Sequence, residues 1–193
     1  LSNDARLRAR SASGGAFSAL ATLFLQNGGV VYGAAFDECL HTKHIRVSDA
    51  ADLWRLQGSK YVQSELADAL LELLKDVSSG VPVLFSGTPC QVAGVSSLFN
   101  EEPANLYTVD LVCHGVPSPA FWDDYVHSAI QVDYASEKNA AFRIKTPFER
   151  GSYALQVMSG GRIVRRPAAL DLYYSLFMKG ASFRESCYKC SYA

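Results

Sequence analysis

The sequence has no run of about 18 consecutive apolar residues, so no segment is built to span a bilayer as a helix. It has no excess of charge of either sign: 18 Lys+Arg stand against 19 Asp+Glu, a formal net charge of −1. That argues against a general nucleic-acid binder, which carries a basic surplus. Neither G-x-G-x-x-G nor a Walker A motif occurs, so neither a Rossmann dinucleotide site nor a P-loop is indicated. G-x-S-x-G is missing too, which removes the usual signal of an α/β-hydrolase. Internal repeats and low-complexity linkers are likewise missing. Cysteine is sparse and odd in number, five in all: Cys39, Cys90, Cys113, Cys187 and Cys190. A secreted disulfide framework shows even pairing at denser spacing. The expectation is a reducing, cytoplasmic compartment with thiols kept for metal or redox work.

What is present fits one globular domain of 193 residues, 49% apolar and 19% charged. A chain of this size buries about 70% of its unfolded surface and needs no disulfide staples. It begins at Leu1 without a basic-then-apolar leader, which reads as a piece of a longer chain.

Phe17, Leu20, Leu23 and Phe24 recur at helical spacing and predict a helix over 16–26, with Ser13 as N-cap and Gly28 as the stop. Residues 30–36 and 42–47 predict two strands joined by a tight turn, and 49–55 a short helix. A long helix is expected from about Ser64, with Leu66, Leu70, Leu73, Leu74 and Val77 on one face. Strand 83–85, helix 91–99, strand 106–112 and helix 119–130 follow. From Ala140 the pattern changes to alternating strands around Gly160-Gly161, then a helix over 170–179. The fold class is therefore α/β: a mostly parallel sheet flanked by helices, with an antiparallel β-meander and a C-terminal Cys-containing tail.

The strand–helix–strand unit around Cys90 is the most informative segment. Right-handed crossovers set the two strands parallel and often adjacent. Cys90 and Cys113 then leave the carboxyl ends of neighbouring strands, the edge where open α/β sheets bind ligands. Cys187-Tyr188-Lys189-Cys190 adds a C-x-x-C. Four thiolates suffice for a [4Fe-4S] cluster or for a structural tetrahedral zinc. Zinc ribbons usually present two C-x-x-C knuckles, which favours iron–sulfur here. A third reading makes Cys90, at a helix N-terminus, a reactive thiol. Cys39 is expected to be a free thiol away from that edge.

Three polar loops, 11–15, 58–64 and 86–91, are each expected to run into a helix start, where free N–H groups and the dipole suit phosphates. Lys60 can add a point charge, Tyr61 can lie against a flat ring, and Gln63, Ser59 and Thr88 can donate to its polar edge. His41, His44 and His127 read as surface residues. His114 directly follows Cys113 and is a candidate to donate to a cluster sulfur or to act as an acid near a substrate. The basic set Arg143, Lys145, Arg150, Arg162, Arg165 and Arg166 reads as a solvated face or as a landing strip for an acidic electron carrier.

Five motifs occur in order: Ser11-Ala12-Ser13-Gly14-Gly15, Gly58-Ser59-Lys60-Tyr61-Val62-Gln63-Ser64, Phe85-Ser86-Gly87-Thr88-Pro89-Cys90-Gln91, Asp110-Leu111-Val112-Cys113-His114-Gly115-Val116-Pro117-Ser118 and Arg184-Glu185-Ser186-Cys187-Tyr188-Lys189-Cys190. Together they resemble the coenzyme F-420 hydrogenase/dehydrogenase beta-subunit family across nearly the whole chain. The resemblance implies an oxidoreductase with FAD and a [4Fe-4S] cluster, acting on a deazaflavin or, in relatives, on another acceptor such as a chlorophyll precursor. It implies cluster ligands at Cys90, Cys113, Cys187 and Cys190. It implies an FAD site over Ser11, Ser13, Gly14, Gly15, Ser59, Lys60, Tyr61, Gln63, Ser64 and Thr88. A ferredoxin or another electron-transfer subunit is the implied partner. The sequence departs from the family by ending soon after the C-x-x-C, without a further Asp/Gly-rich segment, and by lacking ferredoxin-like cysteine repeats. The alternative from the residues alone is a zinc-stapled binding domain.

Overall fold

The computed structural model describes residues 3–145 and 153–192. A first sheet contains β1 (Val30–Phe36), β2 (Thr42–Val47), β3 (Val83–Gly87) and β4 (Leu106–Asp110), in the order β2-β1-β3-β4. β1, β3 and β4 run parallel, and β2 pairs antiparallel with β1 along the outer edge. A second, antiparallel sheet contains β5 (Lys138–Lys145), β6 (Tyr153–Ser159) and β7 (Arg162–Pro167). The α/β class, the parallel core and the meander are as the sequence predicts.

Both faces of the first sheet are covered, so its central strands carry apolar residues at successive positions. Val30, Tyr32, Val83, Phe85 and Leu106 pack with Leu73 and Val77 of α3 (Ala67–Ser78) and Val95 of α4 (Pro89–Ser96). Val31, Ala35 and Leu84, the alternate positions, pack with Ala21 of α2 (Ala16–Gln26) and Leu53 of the 3₁₀ turn Ala50–Arg55. A third core joins the meander to α5 (Pro119–Tyr125) and α6 (Leu172–Met178) through Trp122, Tyr125, Phe142, Leu155, Tyr173 and Tyr174. Trp122 is fully buried and donates its indole N–H to Leu40 O at 2.9 Å.

Several boundaries differ from the sequence reading. Gly15, not Ser13, precedes α2, and its φ of 78° is one that glycine adopts without strain. Gly28, at φ 75°, stops that helix as expected. α1 (Ala5–Arg10) was not predicted, because its alanines and arginines carry no apolar stripe. The 58–64 loop does not open directly into a helix. It closes on β2 through a bridge between Lys43 and Glu65, and α3 starts only at Ala67.

The predicted helix 119–130 changes to a π turn at Val126–Ile130 and ends at Gln131 in the left-handed region. This explains much of the basic meander. Arg162 donates to the carbonyls of Ile130 and Gln131, and Arg166 to that of Ala129, so they satisfy acceptors a helix end leaves open. Arg165 bonds Gln156, and Arg143 bonds the Tyr153 hydroxyl while lying over its ring. Arg150 lies outside the described residues. No helix among the described residues is long and apolar enough to cross a membrane.

Candidate functional site

The β3–β4 pairing is the scaffold of the site. Gly87 stands opposite Asp110 at the end of the ladder, and the chain leaves both strands on the same side. After β3, Thr88 starts α4 with Pro89 in the first turn, where its missing N–H costs nothing. Cys90 is therefore on the first turn of α4, exposed, its Sγ 3.2 Å from Thr88 Oγ1. After β4, the chain turns through Cys113, whose Sγ accepts the Gly115 N–H at 3.4 Å.

The tail is zipped onto that turn. Phe183 bridges to Pro117, the Arg184 N–H donates to Val116 O at 2.9 Å, and the Arg184 guanidinium donates to Gln63 Oε1 at 2.7 Å. Gly115 is required there: a Cβ would meet the Phe183 ring at 2.4 Å, and its φ is 129°. Cys187 follows on a 3₁₀ turn at Glu185–Lys189 and Cys190 just after it, both half-buried. Burial pushes the Cys113 thiol up, and charge on Cys90, Cys187 and Cys190 pushes it the same way, against the Gly115 N–H. The four thiols of the sequence reading therefore lie on neighbouring segments, near enough for charge on Cys90, Cys187 and Cys190 to be felt at Cys113. Cys39 lies elsewhere, exposed in the β1–β2 turn, where Asp37 takes N–H bonds from Cys39 and His41 and an ion pair from Lys43 at 3.0 Å.

Beside the thiols lies a cavity of about 890 Å³. Ser11, Ser13, Gly14 and Gly15 line it from before α2. Ser59, Lys60, Tyr61, Gln63 and Ser64 line it from the second loop, and Thr88 from the third. All ten predicted loop residues therefore face one space, whose rim includes Cys113 and His114. The volume suits a cofactor-sized ligand, and its aromatic lining is Tyr61, stacked on Phe177 at 4.3 Å between centroids, with Tyr174 edge-on to Tyr61. His114 packs against Phe177 and Phe183 at 4.7 and 5.2 Å.

Lys60 Nζ donates to the carbonyls of Gln57 and Arg55 at 2.8 and 3.0 Å. Burial pushes its pKa down to about 7. An anion in the cavity would supply the counter-charge.

His44 corrects the sequence reading. It is 5% exposed, stacks on Phe85 and lines the cavity. Its Nε2 lies 3.0 Å from Ser86 O and its Nδ1 2.9 Å from Ser64 Oγ. Burial lowers its pKa, and Lys60 adds to that, against the bond to Ser86. The signal for it was the strand alternation, in which Thr42 and His44 fall on one face of β2. What buries that face is the returning 58–65 segment, a tertiary event. Thr88 is also corrected as a donor: its N–H is given to Gln91 Oε1, and its hydroxyl lies 3.1 Å from Gln91 Oε1 and 3.2 Å from Cys90 Sγ, so its proton is held within the protein.

A parallel α/β sheet whose carboxyl edge carries Cys90 and Cys113 beside a cavity walled by polar loops has the ligand-binding edge of an open α/β sheet. Two family models account for most of the chain: the coenzyme F420 hydrogenase/dehydrogenase beta subunit N-terminal model over residues 1–71 and the C-terminal model over residues 81–193. The chain belongs to the coenzyme F420 hydrogenase/dehydrogenase beta-subunit family. No curated protein matches it. A solved structure, the xenon-derivatised F420-reducing [NiFe] hydrogenase complex from Methanosarcina barkeri, contains a similar chain, with a TM-score of 0.62 at 20% identity over 98% of this chain. At that identity the likeness is one of fold. The present chain spans 63% of the length of that neighbour.

Proposed function

We propose that this chain is the cofactor-holding domain of an electron-transfer oxidoreductase. Cys90, Cys113, Cys187 and Cys190 hold a [4Fe-4S] cluster, and the loops at Ser11–Gly15, Gly58–Ser64 and Thr88 hold FAD. The observation that supports this most is the shared space: the rim of the loop-lined cavity carries Cys113, one of four thiols on neighbouring segments. Family membership supports an oxidoreductase subunit in general terms.

Bound there, a flavin supplies hydride chemistry and a cluster supplies one-electron steps. The chain's own residues do the holding. The Cys thiolates give the cluster its covalent anchors, Lys60 offers a cation to a phosphate, and Tyr61 and Phe177 offer a flat apolar wall. His114 stands on the cavity rim against Phe177 and Phe183, beside Cys113. The proposed acceptor is a deazaflavin or another small redox substrate, and the proposed partner a ferredoxin or another electron-transfer subunit. The proposed setting is a reducing, cytoplasmic one, as thiolate ligands of a cluster require.

The test is anaerobic purification of the full chain, followed by flavin, iron, zinc and acid-labile sulfide analysis and by FAD titration. FAD binding together with iron and sulfide supports the reading. One zinc, no sulfide and no flavin binding would replace it with the zinc-stapled domain.

A further inference from the structure

The hydrogen bonds around His44 have only one consistent direction. Ser86 O is a carbonyl and can only accept, so the His44 nitrogen 3.0 Å away, Nε2, carries the proton. The neutral ring then presents Nδ1 as an acceptor, and the Ser64 hydroxyl 2.9 Å away must donate to it. The Ser64 oxygen in turn accepts from Gln91 Nε2 at 2.9 Å. The Gln91 amide cannot be turned round, because the Thr88 N–H, 3.0 Å away, can only donate and so requires Oε1 on that side.

The consequence is a fixed polarity. Ser64 and Thr88 have both committed their only O–H protons to the protein, so each can offer the cavity only lone pairs. Both line that cavity. A hydroxyl is usually adaptable and rotates to suit its ligand. Here the buried imidazole removes that freedom from Ser64, and Gln91 and Cys90 hold the Thr88 hydroxyl.

We propose that His44 is a specificity-positioning residue: by fixing the Ser64 hydroxyl it completes, beside the separately held Thr88, a hydroxyl wall that offers only acceptors and selects a ligand ring presenting an N–H donor. The inference rests on the flavin reading above, since the isoalloxazine ring carries one such group, the imide N3–H. An acceptor-only ring edge is rejected there, because lone pairs would face lone pairs. The low proton affinity of the buried imidazole keeps this polarity at neutral pH.

The experiment compares FAD with its N3-methyl analogue on the full chain, reading dissociation constants from flavin fluorescence. The methyl analogue is expected to bind about 3- to 10-fold more weakly, the range of one net hydrogen bond. Ser64→Ala should weaken FAD by a similar factor and leave the analogue unchanged. Thr88→Val repeats the test should Ser64→Ala fail to fold. If Ser64→Ala instead tightens the analogue and leaves FAD unchanged, the wall is a steric boundary and the inference is overturned. Equal binding of both ligands to the parent chain overturns it as well, with the flavin reading intact. No binding of either ligand retires the flavin reading and this inference together. Independently of ligand, the ¹⁵N spectrum of His44 should show the neutral Nε2–H tautomer, and an Nδ1–H tautomer would overturn the proposal.

Discussion

Cys90 and Cys113 lie at equal distance beyond a paired Gly87 and Asp110, each three positions further along the chain. Parallel pairing thus converts a separation of a whole helix and strand in sequence into a shared edge in space. The tail is fastened beside that edge by the 115–118 segment and by the Arg184–Gln63 bond.

That fastening gives the first prediction. Gly115→Ala places a methyl within the Phe183 ring and demands a φ of 129° from an alanine. The variant should lose about 2–4 kcal/mol in chemical denaturation, in line with overpacking plus strain. It should also lose metal binding, measured by iron or zinc content. A stable variant that retains full metal content would show that the tail docks by other contacts.

Lys60 predicts a pH effect. Its folded pKa, about 7, lies below the unfolded value near 10.5, so the unfolded chain binds the extra proton between them. Stability should therefore rise as pH increases from about 7 to 9. Lys60→Met should flatten that rise and weaken phosphate-bearing ligands. Thermal unfolding across this pH range, with and without FAD, checks both.

His44 acts on the acid side. Its folded pKa is lowered by burial, so its stabilisation is present above the ordinary histidine value of 6.5 and is lost as pH falls from there through the folded value. His44→Phe keeps the stack on Phe85 but leaves Ser86 O and the Ser64 hydroxyl without their partner. It should lower stability at pH 8 by about 1–3 kcal/mol and remove this component of the acid limb. Urea midpoints at several pH values measure it.

Trp122 should report on the third core. Trp122→Ala should cost about 3–5 kcal/mol. Trp122→Phe should cost less, through the lost bond to Leu40 O and the smaller ring. A cost under about 1 kcal/mol for Trp122→Ala would contradict the burial described.

Much of this is legible in the sequence. The crossover rule placed Cys90 and Cys113 on one edge, because strand direction follows from a short helical connection. The three polar loops stood out because Gly and Ser interrupt apolar periodicity. His44 was not legible as a buried residue. Its strand lies at the sheet edge, and only the return of residues 58–65 covers it. The π turn at Val126–Ile130 has no pattern of its own, so the arginines that bond its carbonyls looked like free surface charge. Both misses concern contacts between distant segments, which local periodicity does not encode.

The most direct test of the central claim is anaerobic reconstitution of the full chain with iron and sulfide, alongside Cys90→Ser and Cys113→Ser. The parent should take up about four irons and four sulfides per chain, with broad visible absorption. Each variant should lose that absorption and most of its iron. A full iron and sulfide complement in both variants would contradict the assignment of these thiols.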